Sequence, residues 1–305
     1  MISRNTYKNL IWVDAQSPNQ SEVRTLMEEF DLHPLVTEEL LVKTLRSKVD
    51  VYKNFIYMIL HFPTITHTHR GEKDIEIDFI IGKNFLITAH YGLVDTIYEF
   101  SKIFEVNTLL KKSNEEEHAG YIFFQIIRNL YKMLDDELDN LGRRFSTIEP
   151  KVFGGKEHAM VFELSRLNRD PIHFKQTLRL HKEILESFEI AGTKFFGEEF
   201  SYLLRTIIGE YCKVSSKLEA HNETLTELRG TNDSLLATKT NDIMKTLTIT
   251  TFIMLPITFI GQLFGMSIKD MPLINYTGAF WIVLGSMLFI GLSIYCYFRF
   301  VKKWM

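Results

Sequence analysis

Residues 246–268, TLTITTFIMLPITFIGQLFGMSI, form a run of 23 side chains without a charge, bounded by Lys245 and Lys269. A helix rises about 1.5 Å per residue, so roughly 20 apolar residues cross a hydrocarbon core of about 30 Å. A second uncharged stretch of 28 residues runs from Met271 to Phe298 and carries AFWIVLGSMLFIGLSIYCYF. The Lys269-Asp270 link between them is too short to be a domain. The sequence therefore predicts a membrane hairpin at the end of a large soluble region.

One face of the first predicted span is polar. Asn241, Met244, Thr248, Thr251, Leu255, Thr258 and Gln262 recur at spacings of three and four, which stacks them on a single stripe. The other faces carry Leu247, Ile249, Phe252, Ile253, Ile257, Phe259 and Ile260, suited to lipid or to neighbouring helices. A polar stripe in hydrocarbon must meet a partner helix or water. One or two threonines would read as glue between helices, their hydroxyls bonded back to their own backbone. Three threonines with Asn and Gln at the ends read as a water-lined path. Two helices cannot enclose a pore, so that reading requires several copies of the chain.

At 305 residues and 46% hydrophobic content, the chain can bury a sizeable core. The net charge of −3 and the absence of a basic run with interleaved aromatics argue against nucleic acid as a partner. The two cysteines, Cys212 and Cys296, have no spacing partner for a metal site and suit a cytosol-facing protein with free thiols. MISRNTYKNLIWVD lacks an apolar core of signal-peptide length, so targeting is expected to rest on the hairpin. Lys245 precedes the first span; Arg299, Lys302 and Lys303 follow the second; in the loop Lys269 is offset by Asp270. The positive-inside tendency then puts both termini in the cytoplasm, in a plasma (inner) membrane, with Trp281 and Trp304 at the interfaces.

The soluble part changes character along its length. Residues 1 to about 105 alternate strand and helix signals: LIWVD (10–14) as a strand, then SEVRTLMEEF (21–30) as a helix with Ser21 as candidate N-cap. HPLVTEELL reads as a second short helix. VDVYKNFIYMILHFP and IEIDFIIGKNFLITAHY carry the β-branched and aromatic density of strands, with a hairpin turn at Gly82-Lys83-Asn84. Residues 119–149 and 156–190 read as two long amphipathic helices separated by the Pro150–Gly155 break. From Phe200 a four–three alternation runs through Leu204, Ile207, Tyr211, Val214, Leu218, His221, Leu225, Leu228, Asn232 and Leu235. That is a heptad seam, and it predicts one helix from about 198 to 265, stabilised by packing against copies of itself. His221 and Asn232 read as register-setting positions on the seam. The soluble part is thus an α+β domain followed by a long helical stalk.

Other candidate sites are weaker. His67-Thr68-His69, with His61 nearby, puts imidazoles where a metal is conceivable, but Arg70-Gly71-Glu72 marks a solvated hairpin loop. Glu115–Glu117 and the group Asp135, Asp136, Glu137 and Asp139 read as solvated helix faces more readily than as cation sites. No nucleophile elbow, phosphate-cradling glycine loop or zinc motif occurs, so the chain is expected not to be an enzyme.

The hairpin region resembles the CorA family of magnesium and divalent-cation transporters. Members end their first membrane helix with Gly-Met-Asn shortly before Met-Pro; this chain has Gly265-Met266-Ser267 and then Met271-Pro272. Asn241-Asp242-Ile243-Met244-Lys245, Pro256-Ile257-Thr258-Phe259-Ile260 and Lys302-Lys303-Trp304 are similar to family patterns. So are Leu32-His33-Pro34-Leu35, Lys48-Val49-x-Val51-Tyr52 and Gly82-Lys83-Asn84-Phe85-Leu86-Ile87-Thr88 of the soluble part. The resemblance implies a homopentameric funnel embedded in the lipid bilayer, with the stalk helix continuing into the first span. In that frame 1–110 is the cytosolic α/β domain, 111–245 the long-helix and stalk region and 246–265 the pore-lining span. Residues 266–278 form the external loop, 279–299 the second span and 300–305 a basic tail.

Carried over by position, Asn241, Thr251 and Thr258 line the pore with polar groups, Met244, Leu247 and Leu255 make its apolar constriction, and Gly265-Met266-Ser267 stands at the outer mouth. The implied activity is passive movement of magnesium or another divalent cation as cargo, with no resident cofactor and with closure by cytosolic divalent ions. Ser267 replaces an asparagine, keeping an oxygen on a shorter arm, and Gln262 stands where a small residue is usual. These departures leave two alternatives: a zinc, cobalt or nickel transporter, or a poorly conducting membrane scaffold or sensor of the same fold.

Overall fold

A computed structural model describes residues 2–63, 74–92, 94, 97–102, 118–266 and 278–301. The chain divides into two compact units, Met1–Arg229 and Gly230–Met305. The first is built on six strands: β1 (Ile2–Tyr7), β2 (Leu10–Gln16), β3 (Lys48–Val51), β4 (Phe55–Pro63), β5 (Asp74–Gly82) and β6 (Phe85–His90). They form one sheet in the order β1-β2-β6-β5-β4-β3. The β2–β6 pair is parallel and the other pairs are antiparallel. β4 and β5 are buried on both faces; this explains the nearly continuous apolar run of β4, whereas β5 starts with an acid–apolar alternation and buries Glu76 and Asp78. β1 is the element the sequence did not announce. Ile-Ser-Arg-Asn-Thr-Tyr is a polar edge strand that, among the described strands, pairs with β2 alone.

Helices α1 (Gln20–Phe30) and α2 (Pro34–Glu39) share one core with the sheet, placing Val23, Leu26, Val36 and Leu40 with Val13, Tyr57, Ile59, Ile80 and Ile87. The N-cap of α1 is Asn19, not Ser21. Asn19 accepts from the Glu22 amide at 2.9 Å while the Glu22 carboxylate accepts from the Asn19 amide at 2.9 Å, a reciprocal pair. Ser21 donates its hydroxyl to the same Asn19 oxygen.

The opposite face of the sheet meets the long helices. Phe79 packs edge-on against Phe123, which in turn meets Phe188. α3 spans Gly120–Phe153 and runs through Pro150, so the break falls at Gly154–Lys156, where Gly155 takes a φ of 83°. Proline so close to a helix end removes a single backbone bond and need not stop the chain. The predicted helix 156–190 is instead three: α4 (Glu157–Leu167), α5 (Arg169–Leu178) and α6 (His181–Phe196). Pro171, in the first turn of α5, has no amide proton for the Leu167 carbonyl, so the chain re-initiates there. α7 then runs without interruption from Glu198 to Gly265, Pro256 included.

The heptad seam is real, but its partner differs from the expected one. Phe200, Leu204, Ile207, Val214, Leu218, Leu225 and Leu228 are buried within a single chain. Tyr121 meets Phe200, Tyr131 meets Tyr211 and Phe145 meets His221, so α3 and this part of α7 run parallel at a nearly constant offset. The chain's own α3 satisfies the seam that suggested a second copy.

Candidate functional site

The second unit contains the membrane-length part of α7 and α8 (Ala279–Cys296), followed by a short π-helical turn, Tyr297–Val301. Its packing follows from small residues. A Cβ on Gly291 would lie 3.2 Å from Ile257 Cδ1, and one on Gly261 would lie 3.3 Å from Met287 Cε, so the glycines admit the opposite side chains. Phe252 meets Phe298 at 5.9 Å between ring centroids. Ile249 is buried and Ile253, Pro256, Ile257 and Ile260 are half-buried, which identifies the face of α7 turned to α8.

On a wheel of about 100° per residue, Met244, Thr251, Leu255, Thr258 and Gln262 fall within roughly 60° of one another, about 180° from the Ile253–Ile257 face. The predicted stripe is therefore the side of the helix turned away from its partner. Asn241 and Leu247 lie on the two flanks of that stripe. Large apolar side chains remain open on it: Met244 is 55% exposed and Leu255 63%. Leu247, on the flank, is also exposed.

The threonines are oriented by their own helix. Thr251 donates to the Leu247 carbonyl at 2.9 Å, and Thr248 to the Met244 carbonyl at 2.7 Å. Thr258 reaches the Met254 carbonyl at 3.0 Å and the Leu255 carbonyl at 2.9 Å. The back-bonding weighed against a water-lined path is thus present at each of these threonines. It is compatible with that path. Each hydroxyl proton is engaged, so the oxygen turns its lone pairs outward and can act only as an acceptor. A hydrated cation presents water protons, and acceptors are what such a shell requires.

Gly265 is the last residue of α7 and exposed Met266 follows it. Ser267 lies outside the described residues, as do Lys302, Lys303 and Trp304.

Among the described residues, Asp135, Asp139 and His61 of the remaining sequence candidates make structural contacts. Asp135 receives Lys213 at 2.6 Å and Lys217 at 2.8 Å, and Lys217 also reaches Asp139 at 2.7 Å. Burial pushes the Asp135 carboxyl up, but the hydrogen bonds from the two lysines outweigh it and hold the group below its ordinary value. This acidic pair fastens α3 to α7. In sequence these acids read as a solvated face, and their partners lie about 80 residues away; only the parallel packing of α3 on α7 brings the two acids four apart against two lysines four apart. His61 bonds Ser47 Oγ and the Thr44 carbonyl, each at 2.9 Å, and stands 3.5 Å from Glu76. His67, His69 and Glu115–Glu117 lie outside the described residues. Among the described residues no group of three or more metal-ligating side chains converges.

Reasoning from sequence missed His181, fully buried, whose Nε2 donates to the His61 carbonyl and whose Nδ1 accepts from the Tyr131 hydroxyl, both at 2.8 Å. Burial lowers its pKa to about 4, so the ring is neutral. His221 packs on Gly142, where a Cβ would come within 2.9 Å of the ring, and its Nε2 is buried without a partner among the described residues.

An α+β unit joined through an uninterrupted helix to two helices of membrane length, with threonine hydroxyls on the open face of the first, fits the class of membrane ion transporters. The description "CorA-like Mg2+ transporter protein" matches residues 7–302, and the chain belongs to that family, whose members are transporters and not enzymes. The cobalt/magnesium transport protein CorA of Thermotoga maritima is 22% identical, covering 96% of this chain and 83% of that protein. The magnesium transport protein CorA of Campylobacter jejuni is 25% identical, covering 93% of this chain and 88% of that protein. Among solved structures, the complete CorA magnesium transporter of Methanocaldococcus jannaschii superposes with a TM-score of 0.84 at 20% identity, over 97% of this chain and 93% of that one. The fold is therefore the CorA fold: a soluble domain, a long helix and two membrane helices.

Proposed function

We propose that this chain forms a homopentameric channel that passes divalent cations, magnesium foremost, down their electrochemical gradient across an inner membrane, with both termini in the cytoplasm. The observation that carries the reading is the stripe of Thr251 and Thr258 on the face of α7 turned away from α8, with hydroxyl protons committed to the helix and oxygens outward. Five copies of that face would enclose a path lined by acceptors for a hydrated ion. Magnesium gives up its water reluctantly, so acceptors for the hydration shell suit it better than a cage of carboxylates. Asn241 would stand at the inner end, Met244, Leu247 and Leu255 would narrow the path with apolar side chains, and Gly265-Met266-Ser267 would form the outer mouth. An inside-negative potential contributes about 2.3 kcal/mol per charge per 100 mV, so inward flow needs no fuel. The ion is cargo, and no resident cofactor enters this scheme.

Ser267 in place of asparagine favours a second reading, in which zinc, cobalt or nickel passes in preference to magnesium. A shorter arm makes a wider ring of oxygens at the mouth. The test is uptake by purified protein in liposomes under an inside-negative potential, with magnesium, cobalt and zinc in parallel. Magnesium flux supports the first reading. Cobalt or zinc flux without magnesium supports the second. No divalent flux from a pentameric preparation overturns both and leaves a scaffold or sensor of the same fold.

A further inference from the structure

The pair Lys-Asn occurs three times in the chain, at Lys8-Asn9, Lys53-Asn54 and Lys83-Asn84. Each pair turns a hairpin, joining β1 to β2, β3 to β4 and β5 to β6. The register puts all three turns at one end of the sheet. Tyr7 faces Leu10, Ile11 lies beside Phe85 in the parallel pair, Gly82 faces Phe55 and Val51 faces Ile56. In this strand order the turns succeed one another two strands apart, about 9–10 Å at ordinary strand spacing. Hairpin geometry does not ask for lysine; tight turns favour Gly, Asn and Asp. Lys8 even adopts a φ of 52°, a left-handed conformation that glycine enters more readily.

Two of these turns border an open cleft of about 350 Å³ lined by Lys53, Asn54, Lys83, Asn84, Phe85 and Phe195. That volume falls in the range of small-molecule sites, roughly 300–1,000 Å³. The polar wall is cationic and amide. Lys83 Nζ stands 5.9 Å from the Phe195 ring centroid, and among the described residues neither Lys53 nor Lys83 forms an ion pair with a carboxylate. The acid bonded to this set is Asp31, which accepts from the Asn54 amide at 3.4 Å and not from a lysine. The apolar wall is the half-buried pair Phe85 and Phe195. Phe85 closes over Gly82, where a Cβ would come within 2.3 Å of the ring, and packs against Phe30 at 4.7 Å between ring centroids, so only part of the ring faces the cleft.

We propose that this cleft binds a small organic phosphate of the nucleotide kind. Lys53 and Lys83 take the phosphate groups, the Asn54 and Asn84 side chains orient them, and the Phe195 ring, with the open part of Phe85, receives the planar body of the ligand. Lysines suit phosphate as mobile point charges, and rings beside cations suit an aromatic base. A flat anionic surface would engage all three turns alike, Lys8 included, whereas the cleft uses two of them.

Calorimetric titration of the purified full-length protein in detergent, with ADP and separately with inorganic phosphate, tests this. The expected result is saturable ADP binding that weakens as salt rises and falls about tenfold in each of Lys53→Gln and Lys83→Gln. Lys83→Arg should restore most of the affinity, Phe195→Ala should reduce it, and Lys8→Gln should leave it within about twofold. Saturable binding absent up to about 1 mM ADP overturns the proposal. So does inorganic phosphate binding as tightly as ADP, or an equal loss in Lys8→Gln, which would reduce the feature to a general basic rim. None of these readings depends on ion flux, so this proposal and the channel proposal stand or fall separately.

Discussion

At the scale of single residues, the informative groups are those whose chemistry is settled by one or two neighbours. Thr251 offers only its oxygen outward because its proton is held by the Leu247 carbonyl. Thr251→Val keeps the shape and removes that acceptor, a loss on the order of 1 kcal/mol per hydrogen bond, so divalent flux should fall several-fold without loss of assembly. Liposome flux beside size-exclusion profiles checks it, and unchanged flux would remove Thr251 from the path. His181 makes a different prediction. Burial lowers its folded pKa to about 4, below the unfolded 6.5. The unfolded chain therefore binds more protons in that window, and the group's contribution to stability declines as pH falls from about 6.5 towards 4. His118, also lowered to about 4 by burial, acts in the same sense. For His61, burial pulls the pKa down but hydrogen bonds to Glu76 and to the Thr44 carbonyl outweigh it, and the raised value acts in the opposite sense. Melting curves at pH 6.5 and pH 5 for wild type and His181→Asn separate these contributions. The variant should lose part of the decline, and an identical pH slope would exclude His181 as its source.

Among the elements, α7 carries two patterns on one continuous backbone, and each is answered differently. Over residues 200–228 its seam is apolar and buried against elements of the same chain, chiefly α3. In the membrane-length part, one face is fitted to α8 through Gly261 and Gly291 while the opposite face stays open. Gly291→Leu should drive the side chain into Ile257 and Ile253 and force α8 from α7. The expected cost is about 1–3 kcal/mol, with reduced thermal stability in detergent. A melting curve matching wild type would show that α8 is not held by this contact. The sheet shows how far periodicity carries a prediction. β4, β5 and β6 were legible from their density of β-branched and aromatic residues, although β5 and β6 also bury Glu76, Asp78, Thr88 and His90. β1 was not, because an edge strand is held by backbone bonds that leave no side-chain signature. Of the two breaks that divide 156–190 into three helices, Pro171 marked the first and nothing local marked the second at Arg179-Leu180, while Pro150, a stronger-looking signal, stops nothing.

For the molecule as a whole, the decisive quantity is copy number, since one acceptor-lined face lines nothing. Native mass spectrometry of the detergent-solubilised protein should give five copies, and a monomer or dimer would overturn the pore. If the mouth serine limits magnesium, Ser267→Asn should raise magnesium flux relative to cobalt, and an unchanged ratio would place selectivity elsewhere in the pore. The amino-acid sequence by itself determined the two membrane-length helices, the polar stripe, the long helix from 198 to 265 and the family. Length without charge and repetition at three and four are one-dimensional properties, written directly into residue order. Tertiary structure alone decided which surface each pattern meets. It gave the heptad seam to α3 in the same chain, turned the stripe away from α8, paired Asp135 with Lys213 and Lys217, and brought three distant Lys-Asn turns to one end of a sheet. Those outcomes depend on strand order and helix direction, and no local run of residues encodes which distant element will arrive beside it.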